Sequence, residues 1–233
     1  RLESDPAALL ALCRGFGVGR VLLAHDSVTS FLGAMGYGSG VVVAAGTGVV
    51  TLGVGERSVA RVDGWGNIIG DAGSGYWIGR AGLEAVMRAY DGRSPATALA
   101  EVAQASFSSL SGAYIELQTD PDRVARVASF AKQVAELAGR DAVCASICRD
   151  AGRELALSAI TAARRAGLSE PRVALVGGVF SAPAVKQSCV EALRERWPGF
   201  EPAPPLGDAL DGAAALAGLP EDHPLAPRVA IAG

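Results

Sequence analysis

The sequence predicts an α/β fold, on three observations. Short apolar, β-branched runs occur at Val21–Ala24, Val41–Val54 and Arg172–Val176, and such runs read as buried strands. Each is followed by a polar or glycine-rich turn and then, sooner or later, by residues at helical spacing, the alternation that builds α/β layers. Half of the 233 residues are hydrophobic and 19% are charged, enough to enclose a sizeable core as one large or two small domains.

The opening segment, RLESDPAALLALCRGFGVGR, reads as one helix and a glycine turn that feeds the Val21 strand. His25-Asp26-Ser27 ends that strand, and Val28–Met35 has a helical pattern. Polar residues at the carboxyl end of a strand in an α/β protein sit where ligands bind. A carboxylate at Asp26 is placed to take a proton from a substrate hydroxyl. Asp26, Ser27 and Thr29 are equally candidates for the helix N-cap. The next run, VVVAAGTG at 41–48, continues as Val49–Val54 and reads as a hairpin turning at Gly46-Thr47-Gly48. Such a turn presents backbone N–H groups and a threonine hydroxyl to a phosphate. It lacks the lysine and spacing of a P-loop, and no helix follows it as the dinucleotide fingerprint requires.

DGWGNIIGDAGSGYWIGR, at 63–80, combines many glycines with two tryptophans and two aspartates. Glycine lets a backbone approach a ligand closely, tryptophan offers a flat apolar face, and the Asp71 carboxylate accepts hydrogen bonds from hydroxyls. Together they suit a polar ring, with a sugar as the obvious ligand. The alternative is a glycine-rich turn with Trp65 and Trp77 in the core.

Beyond Arg80 the chain is predicted helical. Leu83, Val86, Met87 and Tyr90 recur at helical spacing, and 91–95 breaks that helix. Ser94 and Pro95 are expected to open the next, to about Ser106. A break at Ser111-Gly112 precedes a helix from Asp120-Pro121 to Leu137. A long alanine-rich helix runs from about Asp141 to Ala166 and stops at Gly167. The Arg172–Val176 strand leads through Gly177-Gly178-Val179 into a helix over 183–197, an arrangement able to hold an anion or a nucleotide. A proline-rich connector at 201–205 precedes a short helix over 206–216, where Asp208 and Asp211 read as exposed helix carboxylates. Residues 220–233 read as a loose tail.

Four segments in this order, HDSVTS (25–30), VVVAAGTG (41–48), DGWGNIIGDAGSGYWIGR (63–80) and VALVGGV (173–179), resemble the N-acetylglucosamine kinase and BadF-type ATPase family of the actin-like sugar kinase and Hsp70 superfamily. The third segment is the most specific. The resemblance implies an actin-like ATPase fold with an RNase H-like sheet. It implies ATP as phosphate donor, with Mg²⁺ carried by the nucleotide and no protein-bound metal. At Asp26 it implies a general base towards a sugar hydroxyl. Gly46, Thr47 and Gly48 would contact the β/γ-phosphates, and Gly177 and Gly178 the adenosine. Gly64, Trp65, Gly66 and Asp71 would line the sugar site.

The segment before Asp26 contains no DxGGT-like phosphate loop with its flanking strands, which the superfamily carries in its first lobe. The expectation is therefore a remnant of the first lobe at 1–28 and a largely complete second lobe at 29–205. A C-terminal helix packing back towards the first lobe, then the tail, would occupy 206–233. Ala72 and Val49 stand where the family often has glutamate and serine. The expected function is ATP-dependent phosphorylation of an amino sugar, N-acetylglucosamine foremost. Two alternatives stand beside it: a BadF-type ATPase that activates a partner enzyme, and a non-catalytic sugar-binding half-kinase.

The net charge of −3 shows no basic patch for nucleic acid, and no apolar run reaches the ~18 residues that span a membrane. A cytoplasmic homodimer with a small-molecule substrate is expected. The four cysteines, at 13, 144, 148 and 189, form no CxxC pair. Cys144 and Cys148 share a helix face and read as core residues rather than ligands of an iron–sulfur cluster. His25 and His223 suggest no catalytic triad.

Overall fold

The computed structural model describes residues 5–233; residues 1–4, part of the expected first helix, lie outside it. The chain begins with α1 (Pro6–Cys13) and β1 (Val21–Ala24), followed by α2 (Asp26–Met35). The central sheet has the order β4-β3-β2-β5. Its strands are β2 (Gly40–Ala45), β3 (Val49–Val54), β4 (Val59–Val62) and β5 (Val173–Val176). The predicted hairpin is β2–β3, with Ala45 opposite Val49. β5 joins β2 in parallel, with Ala44 opposite Val176, so the ends of β2 and β5 carry the two glycine turns side by side.

Alternation along the strands sorts the hydrophobic residues onto two faces. Val41, Val43, Ala45 and Val49 face one core, whereas Val42, Leu52 and Val54 face the other. The first core is covered by α3 (Gly75–Tyr90), α6 (Arg123–Leu137), α7 (Ala142–Arg165) and α8 (Pro183–Arg196). The second is covered by α2 through Val28, Phe31, Leu32 and Met35, with Leu216 and Leu225. α9 (Ala209–Ala215) lies against α2 through small residues. A Cβ on Gly212 would fall 1.8 Å from the Thr29 carbonyl oxygen, and one on Gly33 1.7 Å from that of Asp208.

The long helix α7 is capped by Asp141, whose carboxylate accepts from the Val143 and Cys144 amides. The same carboxylate accepts from the Thr97 hydroxyl and the Ala98 amide, and so starts α4 (Leu99–Ser106). Burial works to raise its pKa, but these four donors overcome it and hold the carboxyl below the usual range. Two local expectations change here. The helix expected from Ser94-Pro95 begins at Leu99, because the buried Thr97–Asp141 pair rather than Ser94 receives its first amides. Between the Ser111-Gly112 break and Asp120, where the sequence predicts no element, the chain forms α5 (Ala113–Thr119). Gly167, at φ +73°, ends α7 as expected, with Leu168 N–H donating to Ala163 C=O at 2.9 Å.

The expectation of a loose tail at 220–233 is corrected. β6 (Val229–Ala232) pairs antiparallel with β1, Val21 opposite Ala232, and Leu225 is fully buried. The sequence signal was weak because four residues paired with a distant strand show no periodicity of their own. Among the described residues no helix is long and apolar enough to cross a membrane.

Candidate active site

Two clefts meet at the Gly46-Thr47-Gly48 turn. The first, of about 840 Å³, is bordered by Asp26, the turn, Arg61, Gly64, Gly66, Asp71, Gly177 and Asp208. The second, of about 680 Å³, shares Gly46 and Thr47 with it and runs between Gly178 and the α6 residues Ser129, Lys132 and Glu136. The tertiary structure thus gathers Asp26, the phosphate-turn candidates, Gly64, Gly66, Asp71 and Gly177 around one space. Gly178 borders only the second cleft.

The turn is held by its carbonyls. Gly75 N–H donates to Gly46 C=O at 2.8 Å and Tyr76 N–H to Thr47 C=O at 3.0 Å, so the first turn of α3 anchors it. Gly46 N–H is spent on Gly48 C=O at 2.8 Å. This corrects the expectation that amides throughout 46–48 face a phosphate. Among the described residues, the Thr47 and Gly48 amides are the ones in the turn without a protein acceptor. A Cβ on Gly46 or Gly178 would meet nothing within 4 Å. Internal packing therefore does not demand glycine at these two positions. Their bareness keeps open the space around the turn where the two clefts meet.

Asp26 is the first residue of α2, on the positive end of the helix dipole, with its side chain 81% exposed. None of the residues proposed as the cap serves. His25 caps α2, its Nδ1 accepting from Ser27 N–H at 3.2 Å, because the extended backbone of His25 aims the ring over the first turn. The same Nδ1 lies 2.6 Å from Asp26 Oδ1.

Asp71 is buried and sits at φ +60°, as does Asp63. Non-glycine residues there are uncommon and cluster at functional sites. Asp71 Oδ1 accepts from Gly66 N–H at 3.2 Å. Its pKa is raised, first by burial and further by the Asp63 charge, against the Gly66 and Val49 amides and Arg61. Asp63 in turn accepts from the amides of Gly64, Asp71 and Ala72. The Arg61 guanidinium donates to the carbonyls of Asp63 and Gly64 and lies 5.1 Å from the centre of the Trp65 ring.

Trp65 itself is 63% exposed and outside the wall of either cleft. The turns at Gly64 and Gly66 bring backbone, not indole, to the first cleft. Trp77 packs against the first core. The motif reading assigned no role to Arg61 or Asp63, although an aspartate before a glycine at a strand end is a known signal for positive φ. Ser129, Lys132 and Glu136 carry no local signal, because only the packing of α6 on α3 brings them to the second cleft. Asp208, read as an exposed helix carboxylate, borders the first cleft and closes a capping box with Asp211. Among the described residues no group of three or more His, Cys, Asp or Glu side chains could hold a metal ion.

The model of the BadF/BadG/BcrA/BcrD ATPase family matches residues 21–217. The chain belongs to this family. The match takes in both clefts and each of the motifs quoted above. Over 97 residues the chain is 34% identical to an N-acetylmuramic acid/N-acetylglucosamine kinase of Clostridium acetobutylicum, covering 41% of this chain and 32% of that protein. Over 71 residues it is 44% identical to an N-acetyl-D-glucosamine kinase of Dictyostelium discoideum, covering 30% and 22%. The matched segments thus span about a third or less of these relatives. A crystal structure of a Chromobacterium violaceum protein, provisionally named N-acetylglucosamine kinase, superposes with a TM-score of 0.69 at 28% identity, over 83% of this chain and 64% of that one. A Porphyromonas gingivalis structure, at TM-score 0.64 and 20% identity over 83% and 65%, shares the fold. The fold is the expected α/β actin-like one.

Proposed function

We propose that this chain carries the acceptor and nucleotide sites of an ATP-dependent sugar kinase acting on an amino sugar, N-acetylglucosamine foremost. The observation that carries the reading is the meeting of two clefts at Gly46-Thr47, with Asp26 and Asp71 both on the acceptor side. The two kinases matched at 34% and 44% identity support the same sugar class.

Phosphoryl transfer asks for alignment and charge stabilisation more than covalent chemistry. The nucleoside would lie in the second cleft, against Gly178 and α6, with its phosphates crossing the bare Gly46. The Thr47 and Gly48 amides and the Thr47 hydroxyl would face the charge that spreads over the transferred group. Asp71 would hold the sugar ring by hydrogen bonds, and the bare backbone at Gly64 and Gly66 would let the ring approach it. Asp26 would accept the proton of the attacking hydroxyl, which breaks its O–H bond as it bonds to phosphorus and releases ADP. Trp65 would meet the sugar only if its loop folded inward. The described residues do not fit a protein-caged Mg²⁺. The ion would come with the nucleotide, held by phosphates and water, where it offsets phosphate charge.

The test is ADP release by the full-length protein with N-acetylglucosamine, N-acetylmuramic acid, glucosamine or glucose as acceptor. Sugar-dependent ADP release with a phosphorylated sugar supports the reading. ATP hydrolysis indifferent to sugar favours the partner-activating ATPase; the family description names ATPase activity alone. Sugar binding without turnover favours a binding module. Cys144, Cys148 and Cys189 are fully buried in the core and are not themselves placed to hold a cluster between subunits.

A further inference from the structure

We propose that Asp63 is a positioning residue of the sugar site, a clip at the end of β4 that sets the place of the Asp71 carboxylate. The inference rests on the sugar-kinase reading and adds to it a residue that touches no substrate.

Asp63 Oδ1 accepts from Gly64 N–H and from Asp71 N–H, both at 2.8 Å, and Oδ2 accepts from Ala72 N–H at 3.1 Å. One carboxylate thus closes an eight-residue loop on itself. It grips both ends of the segment whose glycines border the acceptor cleft. Arg61, two residues earlier, holds the complementary groups: its guanidinium donates to the carbonyls of Asp63 and Gly64. Between them the two side chains take up amides and carbonyls of the loop in opposite senses. Gly70 must pass beneath, since a Cβ there would fall 2.7 Å from Asp63 Oδ1.

The grip falls on the residue that matters. Asp71 is held at φ +60°, a conformation that surrounding bonds must enforce, and the amide that Asp63 holds is Asp71's own. The carboxylate of Asp71 is then fixed between the Gly66 amide and the Gly48 turn. Without the clip, the loop keeps its glycines and loses what selects one conformation among the many they allow. A purely structural residue would lower stability alone. A positioning residue degrades sugar recognition and leaves nucleotide recognition, which lies across the Gly46 turn, near its original value.

The experiment compares wild type, Asp63→Ala and Asp63→Asn in the full-length protein. It measures KM for N-acetylglucosamine, KM for ATP, and hydrogen exchange at the Asp71 and Ala72 amides. Asp63→Ala is expected to raise the sugar KM by roughly tenfold or more, as the loss of a charged acceptor for three part-buried amides implies. The ATP KM is expected to stay within about twofold, with faster exchange at both amides. Asp63→Asn keeps one acceptor oxygen and is expected to fall between, which preserves the test should the alanine variant not fold. An unchanged sugar KM, or sugar and ATP KM rising together, overturns the proposal. If wild type neither binds nor phosphorylates an amino sugar, the kinase reading fails. Exchange at Asp71 and Ala72 then still reports separately whether Asp63 holds the loop.

Discussion

Gly48 and Asp71 lie in direct contact: a Cβ on Gly48 would fall 2.7 Å from Asp71 Oδ2. The hairpin turn and the loop after β4 are separate in sequence, and this contact welds them into one cleft wall. Gly48→Ala must push the carboxylate aside, since the added Cβ would overlap its Oδ2. Overpacking of this kind costs about 1–3 kcal/mol. The expected outcome is a sugar KM raised by roughly tenfold, beside that loss of stability. Steady-state kinetics beside a denaturation curve decides it, and unaltered sugar kinetics would refute the contact's role.

Asp26→Asn is expected to lower kcat by about 10²–10⁴, the range for loss of a general base, while sugar binding measured by calorimetry stays close to wild type. The side chain is largely exposed and makes no contact with the core, so the variant should fold. Turnover at the wild-type rate would remove Asp26 from the mechanism.

Asp71 ties sugar recognition to pH. Burial, first, and the neighbouring Asp63 charge raise its pKa above the ordinary 3.8. As pH falls through that raised value the carboxylate gains a proton and loses acceptor capacity, so the sugar KM should rise at a higher pH than an exposed aspartate would dictate. Asp71→Asn should bind sugar more weakly and flatten that limb. The sign for stability is opposite. A raised carboxyl pKa favours the fold below 3.8, and that contribution is lost as pH rises through the folded value. Denaturation of wild type and Asp71→Asn at acid and neutral pH should show the wild type losing ground on the variant as pH rises.

Leu225→Ala should destabilise the protein by about 2–5 kcal/mol, the usual cost of truncating a buried leucine. It is fully buried beside α2, just before the strand that pairs with β1. A change within experimental error would restore the view of 220–233 as a loose tail.

The thiols should separate by burial. Burial pushes Cys144 up to about 11, helped by the Asp141 charge, Cys148 to about 11 and Cys189 to about 12. At pH 8 these remain protonated and covered. A thiol-reactive disulfide should therefore modify the partly exposed Cys13 in the native protein and the other three only after unfolding. Rapid reaction of a second thiol without denaturant would contradict the core placement.

Much of this arrangement was legible in the chain. β-branched runs bounded by glycine mark β2, β3 and β5, since a strand buried on both faces must be apolar throughout. The strand end at Asp26, the Gly46–Gly48 turn and the run at 63–80 were readable because each is local chemistry: turn residues, a carboxylate, a backbone left bare. The capping of α2 by His25 was not readable, because serine, threonine and aspartate compete for that role in the same six residues and only the backbone angles choose.

The sequence by itself determined β1, β2, β3 and β5, the long helices and the motif residues that could carry chemistry, because those depend on periodicity and on the conformational freedom of a few residues at a time. The tertiary structure decided what those residues do together. It spent the Gly46 amide inside the turn, drew Arg61 and Asp63 around the loop that holds Asp71, left Trp65 outside the cleft, and paired β6 with β1 across about two hundred residues. Each of these is a contact between segments distant along the chain or a competition for one hydrogen-bond partner. Their outcome is set by packing of the whole chain, which no local pattern records.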